Sequence, residues 1–159
     1  MAIPLALALL FSGVVPETAT GWMEPERLGL AVGMARDRAV SEIERRGHAT
    51  EPGKEPGHLI VKMGEKRTVT LAFEKGVLQS IRFELVGFVP EITSALAEAK
   101  AWLAKKHGAP SRTVEKPPVL QYDATTPRIY VVAAVDPATS FGKQGLGFLV
   151  IRYFAPPTR

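Results

Sequence analysis

The chain of 159 residues contains no cysteine. Disulfides, thiolate nucleophiles and cysteine-based zinc or iron–sulfur sites are therefore excluded together. The redox compartment stays open, because exported proteins also do without cysteine. Histidine is scarce. His48, His58 and His107 lack i, i+4 spacing and any HExxH-like element, so no metal or cofactor is expected. Aromatic residues make up 8% of the chain, and no basic run interleaves with them as a base-stacking platform requires. No serine sits in a G-x-S-x-G elbow: Ser80 falls in an expected strand, Ser94 in an expected helix and Ser12 in an apolar leader. A Ser–His–acid triad built from distant residues stays open, since its members need not be adjacent in sequence. Gly142-Lys143-Gln144-Gly145-Leu146-Gly147 is glycine-rich but has neither the spacing nor the following helix of a phosphate loop, and reads as a hairpin connection.

Long apolar runs are also missing. The longest, AIPLALALLFSGVV at 2–15, falls short of the roughly twenty residues that a membrane span needs. It fits the hydrophobic region of a secretory signal, and Ala19-Thr20-Gly21 offers small residues for cleavage before Trp22. No Lys or Arg precedes the run. A buried N-terminal element and a membrane anchor are the competing readings. With residues 1–21 as a leader, the expected location is periplasmic or secreted. The net charge is +4, and the leader holds one acid, Glu17, and no base. The remainder is mildly basic, which favours weak contact with anionic partners without requiring one.

What is present is a set of period-2 and period-3.6 patterns. In VTLAFEKGVLQSIRFEL, 69–85, Val69, Leu71 and Phe73 alternate with polar or small residues, and Val77, Ile81, Phe83 and Leu85 resume after Gly76. Alternation is the period of a strand, and a short glycine-containing break marks a hairpin. Its other face carries Thr68, Thr70, Ser80, Arg82 and Glu84 and is expected to meet water. Leu59, Val61 and Met63 form a preceding strand, after a Pro-Gly-rich loop at 49–57. A helix is expected from about Ala35 to Gly47, with Ala39, Val40 and Ile43 on its apolar side. A stronger one spans about 90–107, opened by Pro90, striped by Ile92, Leu96, Ala99 and Leu103, and ended by Gly108 and Pro110. A loop at 111–118 and three more strands follow, at 119–123, 128–136 and 145–154.

The expected fold is α+β: two helices on one face of an antiparallel sheet, as a tandem helix–three-strand repeat with halves at 22–89 and 90–159. The helices end alike, ERRGHA at 44–49 and AKKHGAP at 104–110.

Three stretches resemble a known group. LGLAVGMARDRAVSEIERRGHA at 28–49 resembles the first helix of the outer-membrane assembly lipoproteins of the SmpA/OmlA type and the related β-lactamase inhibitor protein fold, where Gly-Met precedes the helix and Gly closes it. LAFEKGVLQSIRF at 71–83 resembles their strand, turn and strand, and LAEAKAWLAKKHGAP at 96–110 the second helix of tandem versions. The chain departs from the pattern at Ala35, where Thr or Ser is usual, and has no cysteine to carry a lipid. The resemblance implies this fold and an envelope setting. The expected function is a non-enzymatic protein-binding module of the bacterial envelope or exterior, binding through the open sheet face at Thr68, Thr70, Arg82 and Tyr130. The competing class is a small basic cytoplasmic nucleic-acid-binding domain that uses the cationic helix ends.

Overall fold

The computed structural model describes residues 19–136 and 144–157. The apolar run at 2–15, residues 137–143 of the glycine-rich connection and the last two residues of the tail lie outside the described residues.

Two short 3-10 turns, Gly21–Met23 and Pro25–Leu28, lead into helix α1, Arg36–Arg45. Strands β1 Thr50–Pro52, β2 His58–Lys62, β3 Arg67–Glu74 and β4 Val77–Phe88 follow. Helix α2, Val89–His107, then precedes β5 Arg112–Glu115, β6 Pro118–Tyr122, β7 Arg128–Ala134 and β8 Leu146–Phe154. The eight strands form one antiparallel sheet in the order β1-β2-β3-β4-β8-β7-β6-β5. The fold is thus α+β with an antiparallel sheet, and the long strands β4 and β8 pair at its centre.

Eight strands replace the six expected. β1 and β5 lie in the stretches 49–57 and 111–118 that the sequence marks as loops. Both are outermost, mostly exposed and without apolar alternation, so only their pairing with β2 and β6 reveals them. Pro52 is tolerated in such an edge strand, where no neighbour requires its N–H.

The central hairpin turns on Lys75 and Gly76, with φ 51° and 75°. Positive φ at both positions is the two-residue turn whose twist matches a hairpin. The register shifts after Ala72, which pairs with Ser80, while Phe73 pairs with Leu78. This bulge moves one residue across the sheet. Leu78, rather than Val77, is therefore the buried residue beyond the turn, and Ser80 is only 6% exposed, not water-facing as its alternation suggests.

The inward residues of neighbouring strands meet in rows: Val61 with Val69, Val69 with Phe83, Phe83 with Ile151, Ile151 with Val131. Ala39 and Ile43 of α1 and Ile92, Ala95, Leu96, Ala99 and Leu103 of α2 belong to the same buried core. Phe83 is its centre, with the rings of Trp22 and Tyr153 edge-on at 5.7 and 5.9 Å. Gly87 and Gly147 face each other across β4 and β8, and Ile92 packs against both. A Cβ on Gly147 would lie 2.5 Å from the Ala134 carbonyl oxygen, so this close approach requires glycine.

The segment just before Trp22 is tied down from the far side of the chain. The N–H and hydroxyl of buried Thr20 both donate to Glu98 Oε2, at 2.9 and 2.6 Å. Trp102 Nε1 donates to the same hydroxyl at 2.9 Å. Thr20→Val is expected to destabilise by about 1–3 kcal/mol, because a carboxylate oxygen and an indole N–H each lose a buried partner. Chemical denaturation of the two proteins measures this.

Candidate functional site

On the face opposite the core, the antiparallel register lines up Thr70, Arg82, Arg152 and Tyr130 as direct neighbours on four successive strands. Three of the four residues expected at a binding surface therefore share one row. Thr68 stands one row away, between Lys62 and Glu84.

The row crosses a shallow depression of about 570 Å³. Thr70, Arg82, Arg152 and Tyr130 line it, Val132 and Val150 supply an apolar floor, and Glu55 and His58 stand at one side. Arg82 Nη2 donates to Glu84 Oε2 at 2.8 Å. The Arg152 guanidinium lies over the Phe154 ring, 5.3 Å from its centroid. Among the described residues no carboxylate pairs with Arg152. Arg128, which pairs with Phe154 in the next row, has a buried Nε without a hydrogen-bond partner. The local charge is net positive.

The same depression contains Ser80, His58 and Glu55, the residue types of a hydrolytic triad. Their geometry does not match one. Ser80 is buried, and it is separated from His58 by Ala72 on the intervening strand, about 9–10 Å across the sheet. His58 Nε2 instead faces Glu55 Oε2 at 3.5 Å.

A second depression, about 480 Å³, lies where the C-terminal end of α2 meets Pro25, Leu30 and Tyr153. Its Lys106, Glu26 and Tyr153 are engaged within the chain. Lys106 Nζ contacts Glu24 at 3.3 Å and Glu26 at 3.1 Å. Burial opposes the Lys106 charge, but these carboxylates outweigh it and hold the ammonium above its ordinary pKa. The Tyr153 hydroxyl donates to the Met23 carbonyl at 3.0 Å, and burial pushes its phenol well up.

His107, beside Tyr122, is pushed below its ordinary value of 6.5 by burial and by Lys106, with Glu26 and Glu24 pulling the other way. The folded protein therefore binds this proton less readily than the unfolded chain does. The corresponding stability is present above 6.5 and is lost as the pH falls through that value toward the folded-state pKa. Acidification from neutral pH to about 5.5 should lower the Tm of the native protein more than that of His107→Gln, as scanning calorimetry would record.

The row was partly legible from sequence. The alternation around Thr70 and Arg82 places them on the face turned away from the core, and so does that of Tyr130 between Ile129 and Val131. Arg152 was missed, although it is the one charged residue in LGFLVIRYF, and a charge inside an apolar strand marks a solvent-facing position. His58 and Glu55 reach the depression through pairing that no local pattern encodes.

Among the described residues, no group of three or more His, Asp or Glu is arranged to hold a metal ion, and no helix is long and apolar enough to cross a membrane. No family model, curated protein or solved structure matches the chain. What the architecture defines is an α+β protein whose antiparallel sheet turns a mixed polar row of donors away from its core.

Proposed function

We propose that this protein is a non-enzymatic binding module, exported to the bacterial envelope or exterior, that holds another protein against the open face of its sheet. The observation that carries the reading is the alignment of Thr70, Arg82, Arg152 and Tyr130 in one row across the four central strands. These side chains serve no visible structural need in the core, and they present donors with an apolar floor beneath them. Interfaces favour this combination of aromatic and arginine contacts.

The architecture suits it. Both helices cover one face and leave the other free, as their shared core with the inward strand residues supports. The two halves are a duplicated unit of one helix and four strands. The mirrored strand order about the β4–β8 pair fits such a unit, and so do the matching helix ends Arg45-Arg46-Gly47 and Lys105-Lys106-His107-Gly108. The resemblance to the envelope assembly proteins and the inhibitor fold points the same way.

The nucleic-acid reading relies on the cationic helix ends. Those charges are largely occupied: Arg45 and Arg46 contact Glu42, and Lys106 contacts Glu24 and Glu26. Hydrogen bonds from Arg45 and Arg46 hold the Glu42 carboxyl below its ordinary pKa.

A photo-crosslinking residue placed at Thr70 or Tyr130 in the native host tests the reading. It should trap a discrete protein adduct, and the adduct formed from Tyr130 should be abolished by the double variant Thr70→Ala, Arg82→Ala. The same probe at Ser41 or Ala101, exposed on the helices, should trap none. Adducts from the helix positions alone would place the partner elsewhere. Intact mass and cell fractionation test export: a shortened chain outside the cytoplasm is expected, cut ahead of Ala19 and not before Trp22, because Thr20 is bonded to Glu98 and Trp102 and Ala19 accepts from Trp22 in the fold.

A further inference from the structure

We infer that the open face contains a seat for a carboxylate, formed by Arg152 with Arg82, and that the protein it binds presents an Asp or Glu side chain there. This deepens the protein-binding reading and rests on it.

The argument begins with register. Arg82 on β4 and Arg152 on β8 are directly opposed at the centre of the sheet, not at an edge. Like charges opposite each other on adjacent strands destabilise a sheet. Glu84 answers only one of them, by its 2.8 Å contact with Arg82. Arg152 is held by the face of Phe154, which fixes its direction while leaving its N–H donors unused by any described carboxylate. The row flanks the two guanidinium groups with the hydroxyl of Thr70 and the phenol of Tyr130, two further donors. Among the described residues Arg82 has Glu84 as its acceptor, and Arg152 has no carboxylate. A carboxylate entering between Arg82 and Arg152 provides two acceptor oxygens for planar, bidentate recognition and relieves the repulsion.

Charge complementarity also selects the class of partner. Within the row one positive charge is uncompensated, and Glu84 and Glu55 flank the depression. A polyanion such as single-stranded nucleic acid, with a phosphate at each step, would meet those carboxylates as well. A protein side chain delivers one carboxylate together with apolar atoms for Val132 and Val150.

The test uses the full chain labelled with ¹⁵N-arginine, and follows the Nε–Hε signals during titration with hexaglutamate, hexaglutamine and oligo-dT. Hexaglutamate should shift the Arg82 and Arg152 signals saturably, with Arg38 and Arg45 little affected. Arg152→Gln should weaken that binding about tenfold or more without lowering the Tm, because the lost contact is a charge-assisted pair to the ligand and loss of the exposed charge relieves its opposition to Arg82. Hexaglutamine should do nothing. Two results would overturn the seat: no shift with hexaglutamate, or shifts spread evenly over all arginines. A response to oligo-dT alone would overturn the carboxylate assignment in favour of phosphate. If the seat fails while crosslinks from Thr70 persist, the binding face stands and only its acidic ligand falls. If both fail, the face itself is wrong.

Discussion

Replacing Phe83 with alanine should cost about 3–5 kcal/mol of folding stability. Phe83 is fully buried on β4, the longest strand, and pairs with Val69 on one side and Ile151 on the other. The rings of Trp22 and Tyr153 meet it edge-on, an arrangement that adds to the simple burial of area. Truncation leaves a cavity where the N-terminal segment joins the sheet, and neither neighbouring ring can collapse into it freely. Trp22 is held by its indole N–H to the Ala19 carbonyl, and Tyr153 by its hydroxyl to Met23. Phe88, on the same strand and 55% exposed, is the control. Phe88→Ala should stay within about 0.5 kcal/mol of the native protein. Urea denaturation of both variants measures the difference, and an unchanged slope would show that the unfolded state is not the cause.

The contrast between these two phenylalanines shows how much of the fold a single chain makes legible. Phe83 sits in a run of strict alternation, and alternation assigns it inward. Phe88 sits at the strand end, where alternation stops and only tertiary context decides. The two helices were readable because their apolar stripes repeat over several turns and glycines end them: Gly47 and Gly108 have positive φ, at 82° and 77°. β1 and β5 were not readable, because an edge strand satisfies half its backbone with solvent and needs no apolar pattern. The bulge at Ala72 was hidden for a related reason. It depends on where β4 pairs, and it exchanges the roles of Val77 and Leu78 without any local signal. For the candidate site, the face could be read but the row could not. Arg82 and Arg152 are seventy residues apart in sequence and become neighbours only through the β4–β8 pairing.

Leu103→Ala should cost about 2–5 kcal/mol. Leu103 is fully buried in the last turns of α2 and continues the stripe begun by Ile92, Leu96 and Ala99. The helix carries Lys100, Lys105 and Lys106 elsewhere on its surface, so this stripe is its principal attachment to the sheet. α1 is shorter and buries only Ala39 and Ile43, so the milder Ile43→Val should cost about 0.5–1.5 kcal/mol. Arg152→Gln, on the far face, should stay within about 0.5 kcal/mol of the native protein. Thermal and urea unfolding of the three variants therefore separates two kinds of residue in one sheet. The inward residues set stability and tolerate little change in volume. The outward row is free of that constraint, and on the proposed reading the charge at Arg152 serves what it meets, not what it holds together. A loss near zero for Leu103→Ala would detach α2 from the core, and with it the argument that the opposite face is the one left for a partner.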